Sequence, residues 1–166
     1  MRHLHLLFLV LIFSLSACQP ELPPISKVGA NSVGALVDGK VWLPQINGLA
    51  PNISASYDEA TQLLRITATN LGDGTFFLWE LSPLPATGSY PVSEWESNGI
   101  VFQFGEIAES TGADPTVYPA VAGTGLLEIS LLDSSNRVFS GEFSFEVTGP
   151  DNATIEIRDG RFDFRF

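Results

Sequence analysis

The chain has one cysteine and only two histidines among its 166 residues, and all three lie within the first eighteen positions. Residues 19–166 therefore contain no thiol and no imidazole. A Ser-His-Asp or Cys-His catalytic arrangement needs one of these groups, and so does a zinc site built on His or Cys. These chemistries are excluded for that part of the chain, whereas metal sites made only of carboxylates and carbonyls remain open.

Basic residues are also scarce, because 8 Lys and Arg stand against 19 Asp and Glu, for a formal net charge of −11. Nucleic-acid binding draws much of its affinity from Lys and Arg that neutralise phosphates, so no nucleic acid partner is expected. The same balance argues against a domain that lies flat on an anionic membrane. The calcium-loop pattern Asp-x-Asp-x-Asp-Gly is missing, and we interpret residues 70–74 and 133–136 as turns. We expect no metal and no cofactor.

Only one long apolar run is present, at residues 4–15, and it consists almost entirely of Leu, Phe, Val and Ile. It is too short to span a bilayer, which needs about 20 apolar residues. With Arg2 before it, the run predicts the hydrophobic region of a secretory signal that covers residues 1–17. Ordinary signal peptidase requires small residues at the first and third positions before the cut, and Leu15 does not satisfy the third.

The tetrapeptide Leu-Ser-Ala-Cys at residues 15–18 resembles the lipobox of bacterial lipoproteins, with every position of the motif filled. The resemblance implies that Cys18 is diacylated on sulfur, freed by cleavage and then N-acylated. Acylation also accounts for an unpaired thiol in an exported protein. At about 0.8 kcal/mol per buried methylene, two or three acyl chains give stable anchoring. We expect a protein anchored to a membrane of the bacterial cell envelope, at the periplasmic or surface face of the outer membrane.

The mature chain would then have two parts. Residues 18–32 contain the acylated Cys18 and a proline-rich stretch without hydrophobic periodicity, which predicts an extended tether. Residues 33–166 have the length of a single domain. Cleavage removes Arg2 and no acidic residue, so 7 basic and 19 acidic residues remain, for a formal charge of −12.

Short alternations of apolar and polar residues fill the domain, and turn residues separate them. Asp38-Gly39 between two β-prone arms predicts a type I′ hairpin, and Asp159-Gly160 predicts a turn before the last strand. Residues 75–81, apolar on both faces, predict a central strand, and residues 83–99 a long connection. No window shows helical spacing. About ten short strands predict an all-β fold, either an antiparallel β-sandwich or a barrel-like domain.

Three segments carry a family resemblance: Val-Asp-Gly-Lys-Val-Trp at 37–42, Phe-Ser-Gly-Glu-Phe-Ser-Phe at 139–145 and Ile-Arg-Asp-Gly-Arg-Phe-Asp-Phe at 157–164. Together with the lipobox they resemble small uncharacterised lipoproteins of Bacteroidota type. In those families a (V/N)-(D/N)-G-x-x-W start and a (D/N)-G-x-F end bracket a β domain. The resemblance implies the fold and the location, and it implies no site.

Glu94-Trp95-Glu96 is the one constellation with enzymatic character. Two carboxylates two residues apart on a strand share a face at about 6.6 to 7 Å of rise, a separation compatible with glycoside hydrolysis. Trp95 could stack on a sugar, with Tyr90 beside it. The alternative is a solvent-facing glutamate pair in a polar loop, which is the interpretation we favour. Trp42 and Trp79 lie in apolar strands and are expected in the core.

Three arginines of the last two strands, Arg158, Arg161 and Arg165, are expected to form ion pairs across strands. The carboxylates within reach are those of Glu142, Glu146, Glu156 and Asp163. The sequence as a whole favours a membrane-anchored, non-enzymatic binding or structural module, whose partner is an envelope protein or a glycan. The alternative is a glycan-binding or carbohydrate-active accessory lipoprotein that uses Tyr90, Glu94, Trp95 and Glu96.

Overall fold

The computed structural model describes residues 20–45, 52–92, 100–107 and 114–166. Within these ranges the regular structure is eleven β-strands and one short 3-10 turn, Pro150–Asn152. The strands are β1 (Ser32–Val37), β2 (Lys40–Trp42), β3 (Asn52–Asp58), β4 (Leu63–Asn70), β5 (Thr75–Leu81), β6 (Gly88–Val92), β7 (Ile100–Glu106), β8 (Thr116–Val117), β9 (Gly125–Asp133), β10 (Val138–Thr148) and β11 (Thr154–Arg165). None of the described residues forms a helix long and apolar enough to cross a membrane.

The strands form two antiparallel sheets that face each other as a sandwich. One sheet has six strands in the order β2-β1-β11-β10-β9-β6, and the other has five in the order β3-β4-β5-β7-β8. The all-β prediction is confirmed, and the two sheets resolve the choice left open in favour of the sandwich. β5 lies at the centre of its sheet, as its apolar sequence predicted, and β8 forms an edge before Pro119.

Aromatic side chains from both sheets fill the space between them. Phe77 of β5 lies at its centre, with ring centroids 4.7 Å from Trp42, 4.8 Å from Phe104 and 5.2 Å from Phe143. Trp79 is fully buried, and Trp42 is 3% exposed. Both tryptophans therefore belong to the core, as predicted. Burial of such large rings is the main favourable contribution to the folding free energy.

The first hairpin is confirmed in detail. Asp38 and Gly39 have φ angles of 49° and 73°, which are the positive values that a type I′ turn requires. Asp38 also ties the turn to the neighbouring strand β11. Its backbone N–H donates to the Glu156 carbonyl at 2.8 Å, and its carboxylate accepts the Glu156 N–H at 2.9 Å.

Residues 83–99 were predicted as a long connection, and here the prediction was wrong in part. The structure forms β6 at Gly88–Val92, paired with β9 at the edge of the six-stranded sheet. Pro91 has no N–H to donate, and an edge strand tolerates this because one side of it has no partner strand. The proline and glycine content of the segment concealed the strand.

The predicted turn at Asp159-Gly160 was also wrong, because β11 continues through it as one strand. The two residues form a bulge, with Asp159 at φ 51°, and the pairing with β10 shifts there. A Cβ atom on Gly160 would lie 2.3 Å from the ring of Phe143, so glycine lets that ring pack against the backbone. Asp-Gly permits positive φ in a bulge as well as in a turn.

Candidate functional site

The outer face of the six-stranded sheet is covered in part by residues 22–31, which we call the N-terminal strap. At its start the strap crosses Gly34 of β1. A Cβ atom on Gly34 would lie 2.7 Å from Pro23 Cδ and 3.2 Å from Leu22 Cδ2. Arg161 of β11 donates from Nη1 to the Pro23 carbonyl at 3.2 Å. The absence of a side chain at Gly34 therefore makes room for the strap.

Asp163 of β11 fixes the middle of the strap. Its side chain points to the outer face, yet the residue is only 1% exposed because the strap covers it. The carboxylate accepts hydrogen bonds from two hydroxyl groups and three backbone N–H groups. The donors are Ser26 Oγ, Ser140 Oγ at 2.6 Å, and the N–H groups of Val28 at 3.1 Å, Gly29 at 2.8 Å and Ala30 at 3.2 Å.

These hydrogen bonds decide the ionisation of Asp163. Burial alone would raise the pKa of the carboxyl group, because a charge is poorly solvated away from water. The hydrogen bonds from Ser140, Ser26, Gly29 and Val28 oppose this and hold the pKa of Asp163 at about 2. The carboxylate is therefore charged at neutral pH, and its five donors compensate the charge.

Three further hydrogen bonds hold the strap. Lys27 reaches across to β9 and donates to the Ser130 carbonyl at 3.4 Å. Arg165 donates to the Val28 carbonyl at 2.7 Å, and its backbone N–H donates to Asn31 Oδ1 at 2.8 Å. The segment predicted as an extended tether is therefore held against the sheet from Leu22 onward. The Asp163 carboxylate holds the segment there, because it accepts hydrogen bonds from the N–H groups of Val28, Gly29 and Ala30.

The arginines of the last strand behave differently from one another. Arg158 forms the predicted cross-strand ion pair with Glu146 of β10, at 3.9 Å, and a second ion pair with Glu156, two residues earlier on its own strand. The prediction of carboxylate partners was wrong for Arg161 and Arg165, whose guanidinium groups donate to backbone carbonyls of the strap and of nearby loops. Strap carbonyls come within reach of these side chains because the strap lies on the sheet.

The outer face of the five-stranded sheet carries an open groove of about 350 Å³. Thr67 of β4 and Leu78 of β5 are direct cross-strand neighbours at its centre. Arg65 and Glu80 form an ion pair at one end. Both apolar and polar side chains line the groove. The lining residues are Arg65, Thr67, Thr69, Phe76, Leu78, Glu80, Ile107 and Pro115.

A second cleft, of about 210 Å³, lies on the six-stranded sheet beyond the strap. Glu128 and Glu142 face each other across β9 and β10 there, and Asp159 lies beside them. Such a cluster suggests cation binding only if its carboxylates converge. Across the four described ranges, no group of three or more His, Cys, Asp or Glu side chains has the geometry to hold a metal ion.

Both segments interpreted as turns are turns. Asn70 Oδ1 accepts the N–H of Gly72 at 2.8 Å, which closes the first. Asp133 Oδ1 accepts the N–H groups of Ser135 at 3.0 Å and Asn136 at 2.9 Å, which closes the second. Hydrogen bonds from Asn136 lower the pKa of Asp133.

The structure places one of the predicted sugar-binding residues. Tyr90 lies on β6, its ring packs against the core, and its hydroxyl donates to the Ala86 carbonyl at 2.8 Å. Glu94, Trp95 and Glu96 lie outside the described residues, and so does Cys18. The glutamate pair and the acylation therefore remain predictions.

Sequence reasoning missed the cluster around Asp163. Its members are separated by 133 to 137 positions on the strap side and by 23 on the Ser140 side. No motif spans such distances. The local signal was Gly29, whose φ of 70° lets successive N–H groups point at one acceptor.

Comparison of the chain with protein-family models, with curated proteins and with solved structures returned no match. Interpretation of the sandwich and its surfaces therefore depends on the residues themselves.

Proposed function

We propose that the protein is a lipoprotein of the bacterial cell envelope, held by acyl chains on Cys18, whose β-sandwich is a non-enzymatic binding module. The lipobox at residues 15–18 supports the anchor, and the loose resemblance to Bacteroidota-type lipoproteins agrees with it. The lack of histidine and thiol downstream of Cys18 supports a binding role, because the usual nucleophile and base pairs cannot be assembled.

The observation that carries the binding role is the difference between the two outer faces. The strap occupies part of the six-stranded sheet, whereas the five-stranded sheet has an open groove. Phe76, Leu78 and Ile107 give the groove apolar surface, and Thr67 and Thr69 add polar groups to it. Protein–protein interfaces combine apolar and polar surface in this way. We assign the groove to a protein partner of the envelope.

The glycan-binding alternative has weaker support. Sugar recognition of the predicted kind needs exposed aromatic rings, and the ring of Tyr90 packs against the core instead. Trp95 remains to be tested. Polysaccharide pull-down with Trp95→Ala beside the parent protein decides the question. Tight binding that the substitution abolishes would establish the alternative.

The anchor is tested by the intact mass of protein purified from membranes of its native host. We expect cleavage before Cys18 and the added mass of two or three acyl chains. An unmodified thiol, or a chain that retains residues 1–17, would refute the anchor.

The groove is tested by a photo-crosslinking residue placed at Leu78, with Leu126 as the matched control. Leu126 is a partly exposed leucine on the outer face of the other sheet. In native membranes we expect a single adduct of defined mass at position 78, lost when Thr67→Arg places a charge in the groove. No adduct, or the same adduct at position 126, would reject the groove as the binding surface.

A further inference from the structure

The two most exposed large apolar side chains among the described residues both belong to the strap. Ile25 is 57% exposed and Val28 is 66% exposed. They lie within four positions of each other, while the backbone between them is fixed to Asp163 by Ser26 and by the Val28 N–H. The strap therefore holds these two side chains in place on its surface. Isolated exposed apolar residues are normal on a protein surface. Two exposed apolar side chains on a fixed segment close to the proposed acylation site at Cys18 suggest a binding surface.

Cationic groups surround this pair. Lys27 and Arg165 are exposed, and each donates to a backbone carbonyl. Arg161 does the same with the Pro23 carbonyl. Within the described part of the chain, none of the three has a carboxylate within ion-pair distance. Asp163 of β11, which the strap covers, is buried and already accepts hydrogen bonds from five donors. The strap itself contains no acidic residue, so the exposed charges held along it are those of Lys27 and Arg165.

Covalent geometry places this surface near the anchor. Only two peptide units separate Cys18 from Pro20, a span of at most about 7 Å. From Leu22 onward the chain lies on the sheet, so the free part of the tether is only a few residues long. An acylated Cys18 therefore keeps the strap close to the lipid. The acidic cleft of Glu128, Glu142 and Asp159 lies further along the same strands.

We propose that Ile25 and Val28, with Lys27 and Arg165 beside them, form the surface through which the domain rests on the phospholipid bilayer that holds its acyl chains. The inference rests on the proposed acylation of Cys18. Apolar side chains next to Lys and Arg are the pattern that binds the interfacial region of a bilayer, where phosphate groups face the cations. The negative charge of the whole chain argues against a flat position on anionic lipid. A local cationic surface beside the anchor meets the headgroups without bringing the acidic cleft to them.

The contact gives the anchored domain a direction. The strap lies on the outer side of the six-stranded sheet, and the groove lies on the outer side of the five-stranded sheet. A bilayer under the strap leaves the groove facing away from the lipid. The same docked segment therefore sets both the height and the orientation of the proposed binding surface.

The test uses the acylated full protein in vesicles of phosphatidylethanolamine with phosphatidylglycerol as the minor lipid. An environment-sensitive NBD label is attached at Val28→Cys or, as the control, at Ser54→Cys on the exposed side of β3. The thioether at Cys18 leaves only the introduced thiol free to react. We expect the emission at position 28 to shift to shorter wavelength and to be quenched by lipids that carry a shallow doxyl group. Position 54 should show neither effect.

One further variant tests the apolar part of this surface, and a change of lipid composition tests the cationic part. Ile25→Ser should reduce the quenching at position 28, and so should the omission of phosphatidylglycerol. Equal exposure of positions 28 and 54 to solvent, in protein whose mass proves acylation, would overturn the membrane contact and leave the anchor intact. A mass that shows an unmodified Cys18 would overturn the anchor and the contact together. The intact mass thus distinguishes the two failures.

Discussion

The two outer faces of the sandwich have similar strands beneath them and different surfaces above. On the six-stranded sheet, an outward-facing carboxylate, Asp163, is buried because residues from the other end of the chain cover it. On the five-stranded sheet, the outward-facing Arg65 and Glu80 remain in contact with water and pair with each other. A charged side chain that faces outward from its sheet is therefore buried and hydrogen-bonded to the strap in one sheet. In the other sheet, such side chains form a partly exposed ion pair.

This difference between the two faces indicates which residues determine the stability of the fold and which are available for binding. Groups under the strap are desolvated and fully hydrogen-bonded, so the loss of one of them leaves the others without partners. Groups around the groove exchange water easily, and their removal costs little. We therefore expect substitutions on the covered face to change folding and substitutions on the open face to change binding.

The largest effect on the covered face is expected from a substitution of Asp163. Asp163→Asn replaces an acceptor of five hydrogen bonds by an amide that can accept only at one oxygen, and we expect the free energy of unfolding to fall by about 3 kcal/mol. Urea denaturation measures the change. Hydrogen exchange should show fast amides at Val28, Gly29 and Ala30, with β4 and β5 still protected.

Asp133→Asn is the matched control, because that carboxylate also accepts backbone N–H groups but lies at the exposed end of β9, where it closes a turn. Its effect should be much smaller. Equal losses from the two substitutions would mean that the strap gives Asp163 no special importance.

The stability at low pH also tests the role of Asp163. The pKa of Asp163 lies near 3.8 in the unfolded chain and at about 2 in the folded one, so its contribution is complete above pH 3.8 and is lost as the pH falls toward 2. This contribution is about 2 kcal/mol. Urea denaturation at a series of pH values should show the stability of the parent approaching that of Asp163→Asn across this range. A difference between the two proteins that stays constant with pH would contradict the assignment.

Added bulk should have opposite consequences on the two faces. Gly34→Val places methyl groups where Pro23, Leu22 and Leu43 now lie, and we expect a loss of about 1 to 2 kcal/mol as the strap is pushed away. Ser54→Val makes the same side chain on the exposed side of β3, where valine suits a strand. Thermal unfolding should show a lower midpoint for the first and an unchanged or higher one for the second. A fall in both would remove the distinction between the faces.

The smallest effect is expected at the ion pair of the open face. A double-mutant cycle with Arg65→Ala and Glu80→Ala should give a coupling energy of about 0.2 to 1 kcal/mol, because the pair is partly exposed. Added salt should reduce it. A coupling as large as the effect of Asp163→Asn would show that this face is less accessible to water than the groove indicates.

Much of the fold could be predicted from local patterns. The hairpin at Asp38-Gly39, the apolar β5 and the burial of Trp42 and Trp79 each follow from a few adjacent residues. The errors occurred where two local signals compete. Asp-Gly suits both a turn and a bulge, and only the ring of Phe143 against Gly160 decides between them. β6 was not predicted because it contains Pro91. A proline is tolerated there only because β6 lies at a sheet edge, and that location depends on the whole fold.

The candidate site was much less accessible to prediction. A proline-rich stretch after a lipobox has the composition of a tether, and nothing near Ser26 or Gly29 indicates a carboxylate that lies more than 130 positions away. Long-range contacts of this kind depend on which strands become neighbours. The groove likewise exists only because alternate residues of β4 and β5 meet in register.

The strap also determines the order in which this chain can complete its fold. Among the described strands, β1 pairs only with β2 and β11, and the strap binds to Asp163 and Arg165 of β11. The first described segment to be synthesised thus has to wait for the last strand before it can take its place. Docking of the strap therefore brings together two segments from opposite ends of the described chain, and it carries the entropy cost of closing that long loop.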